Sequence, residues 1–278
     1  AEIFYHAVPF TKILFMANLS LGLLALGWWI YSCVMQEGDK ARNWRSRWRR
    51  IWVWAVWMAC LFHWTSYLLR WYIGGRIPLG NGHETMLFLA GFLLLCTCIW
   101  QRRFSFLLPA GLLLSGFTLL VAYLSEMNPQ ITPLMPVLLS PWLSLHVSLI
   151  MVSYALFALM CLCSILALSI RRHAWQRQRL TLFCRVLLYP AVLCLGIGIF
   201  IGAVWANVSW GSYWAWDPKE VWALITFMLY GMAFHVQSLP RFRNPYFFHW
   251  FLIVSFSAIL MTYFGVNYVL GGMHSYAG

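Results

Sequence analysis

The chain has 278 residues, of which 62% are hydrophobic and only 9% are charged. This composition excludes an ordinary soluble domain, in which roughly one quarter of the residues are charged. The formal net charge of +12 does not indicate a nucleic-acid partner, because the basic residues sit in short segments between apolar runs.

Eight apolar runs have about the 20 residues that a helix needs to span a bilayer. They are Thr11 to Met35, Ile51 to Ile73, Gly82 to Trp100, Ser105 to Ser125, Leu143 to Ile170, Val186 to Val204, Val221 to Ser238 and Trp250 to Leu270. The first run is long enough to span, which argues against a cleavable signal peptide. The sequence therefore predicts an all-α, polytopic transmembrane helical bundle of about eight spans, with residues 1–278 forming one domain.

The basic residues indicate how this bundle is oriented. Most of the 19 lysines and arginines fall in alternate loops, within 40–50, 102–103, 171–185 and 241–243. Cytoplasmic loops are enriched in lysine and arginine. We therefore expect these loops to be cytoplasmic, both termini to be external, and the loop 205–220 to lie on the external side.

The eight cysteines form no CxxC pair and fall within apolar spans or beside a basic loop. This distribution predicts neither a disulfide framework nor a zinc site. We interpret the cysteines as small buried hydrophobic residues.

The external loop and its flanks, WANVSWGSYWAWDPKEVW, are unusually rich in tryptophan. The five indoles belong to Trp205, Trp210, Trp214, Trp216 and Trp222. An aromatic belt at the membrane interface accounts for one or two of them. Flat indoles on a loop that contains Gly211 also suit an extended, planar, apolar ligand, and this is the interpretation we favour.

The residues after the loop have the pattern of a helix start. Asp217 fits the N-cap, Pro218 the first helical position and Glu220 the third. The pattern predicts that Asp217 fixes where the aromatic loop meets the seventh span, whether or not it also contacts a ligand.

Two histidines are predicted to reach the same face as this loop. His146 begins the fifth span and His274 lies in the C-terminal tail. Each could be an ordinary interfacial residue. Together they could supply the two axial imidazoles of a haem iron.

Another histidine is predicted inside a span. His235 lies in the seventh run, and ionisable residues within spans usually mark function. His63 is the other buried candidate, but it is expected to lie about 12 Å away from His235 in depth. We therefore expect His63 to hydrogen-bond within the bundle, and a partner subunit to be at least as good a source of a second ligand. The remaining histidines are assigned to no site: His6, His83, His173 and His249.

With these residues in place, the sequence resembles the CcsA (ResC-like) family of cytochrome c synthesis proteins. The segment WGSYWAWDPKEVWALITFMLY resembles the tryptophan-rich WWD signature of that family. Further matches are RWYIGGRIPLGNGHETM, LHVSLIMVSYALF, HVQ at His235 and the terminal MHSYAG. One departure is His83, where the family pattern has tyrosine.

The resemblance implies a function and a set of partners. His146 and His274 would hold haem b over the tryptophan loop, and His235 would ligate haem within the membrane. A CcsB-type subunit or fused domain would complete a holocytochrome c synthase, a haem lyase that joins haem to the CxxCH segment of an apocytochrome c. A thiol-reducing partner fits this chemistry, and the expected location is the bacterial inner membrane with the loop on the periplasmic side.

Three alternatives remain open at this point. A haem exporter or chaperone without ligation activity predicts the same histidines. A b-type electron-transfer subunit would hold haem between histidines at matched depth, and a transporter of another planar amphiphile would leave the histidines incidental. Three external cations, Arg70, Arg76 and Lys219, are candidates to pair with haem propionates.

Overall fold

A computed structural model describes residues 5, 7–34, 39–124, 130–131, 136–169 and 174–270, and within these ranges it contains helices and no strand. The α-helices are α1 (Phe10–Val34), α2 (Asp39–Gly74), α3 (Gly82–Trp100), α4 (Leu107–Leu124), α5 (Pro141–Ser169), α6 (Ala174–Trp210), α7 (Pro218–Met232) and α8 (Pro245–Leu260). Short 3-10 turns at Pro136–Leu139 and Pro240–Arg243 precede α5 and α8, and α8 continues as a π-helix over Met261–Leu270. The predicted all-α membrane bundle is confirmed.

Seven of these helices are long and apolar enough to cross a membrane, and α7 is the exception among the described helices. It has 15 residues, which gives a length of about 22 Å against a hydrocarbon core of about 30 Å. The seventh predicted span, Val221 to Ser238, is therefore the one that the structure shortens.

Helix boundaries differ from the apolar runs in an informative way. Helix α3 has the predicted bounds, whereas α2 begins at Asp39 rather than Ile51 and α6 extends on both sides of its predicted run. Arginine, lysine and glutamine are good helix formers, so a helix continues past the end of its lipid-facing stretch. Hydropathy marks the part that lies in lipid and misses these polar extensions.

The chain divides into two compact units, Ala1–Pro133 and Leu134–Gly278. That residues 1–278 act as one domain stays a prediction. In the first unit, α1 and α4 approach each other through glycine. A Cβ added at Gly116 would lie 2.8 Å from the backbone nitrogen of Leu19, and one at Gly22 would lie 3.0 Å from that of Leu113. Small residues allow this backbone contact, which favours helix association in lipid.

A buried carboxylate organises one end of the first unit. Glu84 follows its N-cap Asn81 at the start of α3 and accepts hydrogen bonds from Arg70 Nε at 3.0 Å, from Arg76 Nη1 at 2.8 Å and from the Gly80 amide at 2.7 Å. The side chains of Arg70 and Glu84 are each only 1% exposed. Burial of these charges is tolerable because they are paired and hydrogen-bonded.

This pairing limits what the two arginines can do. Arg70 also donates to the Gln130 carbonyl at 3.0 Å and to the Tyr5 hydroxyl at 3.4 Å. The suggestion that Arg70 and Arg76 bind haem propionates therefore receives no support, because both guanidinium groups already bind Glu84.

Hydrogen bonds between polar side chains also hold the helices of the second unit together. His249 of α8 is fully buried, with Nε2 2.8 Å from Thr181 Oγ1 of α6 and Nδ1 3.0 Å from Ser164 Oγ of α5. The sequence assigns His249 to no site, and the structure shows that its imidazole joins three helices in the core. The contact brings the beginning of α8 beside the beginning of α6 and the end of α5, so α6 and α8 run parallel.

Helix α7 returns the chain along this unit. Tyr230, near its end, stacks on Phe157 of α5 with ring centroids 3.8 Å apart. Further on, the carbonyl of Phe242 accepts a hydrogen bond from Arg185 Nη2 at 3.0 Å. The chain thus passes from the end of α6 back to the level of its first turns, through α7 and the turns that follow it.

The cysteines whose side chains are described agree in part with the predicted burial. Cys60, Cys96, Cys98, Cys163 and Cys184 are buried, and Cys161 and Cys194 are half-buried.

Replacing Glu84 by glutamine should strongly destabilise the first unit. The substitution keeps the size of the side chain but leaves the buried guanidinium of Arg70 without its counter-charge, which typically costs about 3–5 kcal/mol. We expect a lower thermal midpoint for the purified protein in detergent. Arg243→Gln, at an exposed position, is the matched control, and an equal midpoint for the two variants would contradict this account of Glu84.

Candidate functional site

The candidate site lies at one end of the second unit, where α5 begins, α6 ends and α7 begins. His146 is in the second turn of α5, Trp205 and Trp210 are in the last turns of α6, and Asp217 caps α7. The segment Gly211–Asp217 joins the last two helices without regular structure. The predicted external loop 205–220 is therefore in part helix, and its irregular portion is seven residues long.

The imidazole of His146 is fixed against α6. Its Nδ1 lies 2.7 Å from the carbonyl oxygen of Gly198. A carbonyl can only accept, so Nδ1 must carry the proton and donate it, which leaves Nε2 as the nitrogen with a lone pair. Histidines that bind metals characteristically donate their other ring N–H to a carbonyl or carboxylate in this way.

The tryptophans do not form one flat platform. The ring centroids of Trp205 and Trp210 are 4.8 Å apart with planes at 70°, and those of Trp214 and Trp216 are 6.0 Å apart at 88°. Both pairs meet edge to face, a favoured geometry for aromatic rings. A planar ligand would thus meet single indole faces or edges of this loop.

The same tryptophans differ in the exposed fraction of their side chains. Trp205 is 2% exposed and Trp216 is 71% exposed, whereas Trp210, Trp214 and Trp222 are half-buried. Trp205 is a core residue that anchors the end of α6. Trp216 offers an indole to whatever approaches the loop.

The exposed Trp216 also has an unusual backbone conformation. Its φ is 57°, the only positive value at a non-glycine residue in the described part of the chain. Such a conformation is disfavoured for bulky side chains and persists only where the surroundings impose it. Gly211, with φ 80°, ends α6 in the same left-handed region, where glycine is the usual residue.

Glu220 imposes the conformation of Trp216. Its Oε2 accepts the amide of Ala215 at 2.9 Å and the amide of Asp217 at 3.1 Å, the two residues on either side of Trp216. Asp217 Oδ1 in turn accepts the amide of Lys219 at 3.0 Å. The predicted capping box of Asp217 and Glu220 is confirmed. Nothing in the sequence pattern indicates that the same carboxylate also binds the amide of Ala215, the residue before Trp216.

His235 lies outside helix α7 rather than inside it. The helix ends at Met232, and the amides of Ala233, Phe234 and His235 then donate to carbonyls three residues earlier. These tighter turns end the α-helix before His235, whose side chain is exposed. The prediction of a position within the seventh helix is wrong.

The depth of His235 is nevertheless bounded by its neighbours. Tyr230 stacks on the middle of α5, and Phe242 is bound by Arg185 in the early part of α6. His235 lies between these points, in the opposite end of the unit from His146. The two histidines are thus separated along the helix direction and cannot bind one iron.

Two further histidines were considered in the sequence, His63 and His274. His63, in the first unit, is 1% exposed, and its Nε2 lies 2.9 Å from the carbonyl of Leu87. The prediction that it hydrogen-bonds within the helices is confirmed. His274 lies outside the described residues.

Removing the carboxylate of Glu220 should release the loop. Glu220→Ala deletes the shared acceptor of the Ala215 and Asp217 amides, and a hydrogen bond to a charged group contributes about 1.5–3 kcal/mol. Amide exchange in a peptide covering 211–217 should accelerate by roughly tenfold or more, measured by mass spectrometry. Val221→Ala is the control, and unchanged exchange in Glu220→Ala would show that the loop is held by other contacts.

Comparison with known proteins assigns the chain to a family. A family model described as Cytochrome C assembly protein matches residues 79–274. Protein NrfI of Wolinella succinogenes is 39% identical over 229 residues, which are 80% of this chain and 25% of NrfI. CcsA of Chlamydomonas reinhardtii is 35% identical over 228 residues, 75% of this chain and 63% of that protein.

A cyanobacterial relative is matched over more of its own length. CcsA of Prochlorococcus marinus is 32% identical over 251 residues, which are 75% of this chain and 79% of the relative. The chain spans about a quarter of NrfI and less than two thirds of the algal CcsA. The matched family region includes every candidate site residue from His146 to His274, and the chain belongs to the cytochrome c assembly protein family as an integral membrane member.

Proposed function

We propose that this chain acts in cytochrome c biogenesis by holding haem b on the external side of the membrane for covalent attachment to an apocytochrome c. The proposal joins family membership to the chemistry of the site. A CcsB-type subunit or fused domain is proposed as the partner that completes a holocytochrome c synthase, as the resemblance to the CcsA family implies.

The observation that carries the proposal is the geometry of His146. Its Nδ1–H donates to the Gly198 carbonyl, an arrangement typical of histidines that bind a metal through Nε2. The imidazole also lies at the end of the unit where the tryptophan loop begins. His274 is proposed as the second axial ligand, supported by its place within the matched region.

The loop would bind the ring through its apolar surfaces. Trp216 is exposed and held outward, while Trp210, Trp214 and Trp222 offer partly buried indoles beside it. Asp217 and Gly211 contribute indirectly, since they set the two ends of the loop. Aromatic side chains of this kind give large contact areas at a low cost in conformational entropy.

The reaction needs positioning more than acid–base chemistry from this chain. Each thiol of the CxxCH segment adds across one vinyl group, so that a carbon–sulfur bond forms and the thiol hydrogen goes to the neighbouring carbon. No external oxidant is consumed, and a thiol-reducing partner would keep the two cysteines in the reactive state. Holding haem and peptide in a fixed orientation supplies much of the rate enhancement.

At the opposite end of the unit, His235 is proposed to bind haem before it reaches the outer site. The side chain is exposed beside the turns that follow α7, so a planar amphiphile could reach it without displacing core residues. The second ligand at this end is proposed to come from the CcsB-type partner, because His63 already binds the Leu87 carbonyl.

Loss of either external ligand should abolish cytochrome c assembly. His146→Ala and His274→Ala each remove one axial imidazole, and added imidazole should partly restore assembly if ligation is their only task. The measurement is haem-stained cytochrome c in membranes of cells that also express the partner and a CxxCH apocytochrome. His173→Ala, at a histidine assigned to no site, is the control.

The outcomes of this experiment separate the alternatives. Normal assembly in His146→Ala would refute the site. If the wild-type complex binds haem but forms no thioether on the apocytochrome, a haem exporter or chaperone would be favoured over a haem lyase.

Replacement of His235 should reduce the haem that co-purifies with the protein. His235→Ala removes the proposed ligand at the inner end, and the haem content is measured from the absorption spectrum of the purified complex. Gln237→Ala lies in the same exposed turn and should leave the haem content unchanged. Equal haem content in both variants would refute the role of His235.

A further inference from the structure

Helix α6 presents a pair of glycines to the start of α5. Gly198 and Gly202 are four residues apart and therefore share a helix face. A Cβ added at Gly202 would lie 2.6 Å from both Cε1 and Nδ1 of His146 and 3.3 Å from its Cγ. The three nearest atoms to that position all belong to the imidazole, so the ring of His146 occupies the space that a side chain at 202 would fill.

Gly198, one turn before Gly202, also contacts the start of α5. Its carbonyl accepts the Nδ1–H of His146 at 2.7 Å. A Cβ added there would lie 2.8 Å from Cδ1 of Ile150, the residue one turn after His146, and 3.5 Å from Cβ of Leu149. The absence of side chains at both glycines lets α5 approach close enough for the imidazole to reach a backbone carbonyl inside a regular helix.

We propose that Gly198 and Gly202 are positioning residues that set the tautomer and the ring plane of His146. The inference rests on the proposed function, in which His146 is an axial ligand of haem. Because Gly202 has no side chain, the imidazole can lie in the space beside it. The carbonyl of Gly198 accepts the Nδ1–H, so Nε2 is the nitrogen left to act as a metal ligand.

This arrangement has a chemical consequence at the iron. A ring N–H that donates to a carbonyl makes the opposite nitrogen a stronger base and a stronger metal ligand. A displaced ring would lose both the direction and the strength of the bond to iron. The effect should therefore appear in the absorption spectrum of the bound haem and not only in the amount of protein.

The test is Gly202→Ala in the full complex with its partner. Alanine is the better helix former, so the substitution should not weaken α6 itself. We expect the haem spectrum to shift toward that of His146→Ala, and cytochrome c assembly to fall about 10- to 100-fold, as for other changes next to a metal ligand. Gly231→Ala is the matched control, because a Cβ at that position meets nothing within 4 Å.

A double variant covers the case in which Gly202→Ala fails to accumulate. In the His146→Ala background the imidazole is gone and the methyl group has room. His146→Ala/Gly202→Ala should then accumulate to the level of His146→Ala and give the same spectrum. Failure of the double variant to accumulate would overturn the inference, because Gly202 would then be required for folding regardless of His146.

Different outcomes would contradict the role of the two glycines and the role of His146 as a haem ligand. A wild-type spectrum and full assembly in Gly202→Ala, with both lost in His146→Ala, would overturn the role of the glycines and leave the proposed function standing. A wild-type spectrum and full assembly in His146→Ala would overturn the proposed function itself.

Discussion

The hydrogen bond from His146 to the carbonyl of Gly198 is the contact on which the candidate site depends. It joins α5 to α6 by using a backbone acceptor that already takes part in a helix. The imidazole is half-buried, and the bond holds it against α6. The bond leaves Nε2 as the nitrogen that the proposed function assigns to haem iron, at the end of the unit where the tryptophan loop begins.

The loop itself shows how a short segment can be held in a strained form. One carboxylate, Glu220, caps α7 and also binds the backbone on both sides of Trp216. The stability of the helix start is thereby coupled to the exposure of one indole. Such coupling agrees with the general finding that unfavourable backbone conformations cluster at binding sites, where the surroundings compensate for them.

Much of the fold could be predicted from the sequence, because lipid imposes a simple rule on composition. Helix α3 was predicted with its observed bounds, and the capping pattern of Asp217 and Glu220 marked the start of α7. The end of α7 was missed, since hydropathy cannot distinguish an apolar helix from an apolar turn. His235 was placed inside the helix for the same reason.

The site could be predicted only in its residue types. His146 and the tryptophans stand out by chemistry and spacing, whereas the edge-to-face packing of the indoles depends on backbone angles that composition does not encode. The role of Gly202 was missed because glycine four residues from glycine is also the ordinary pattern of close helix packing. A structure is needed to show that the residue in the gap is a histidine.

The shortness of α7 has a consequence for the surrounding bilayer. A helix of 15 residues is followed by turns that still run at the depth of α5 and α6, and irregular backbone is tolerated at such depth only beside protein or water. We therefore expect the bilayer next to α7 to thin, or its headgroups to dip toward Met232. The resulting local defect would hydrate the turns after α7 and open a lateral path from the headgroup layer into this end of the second unit.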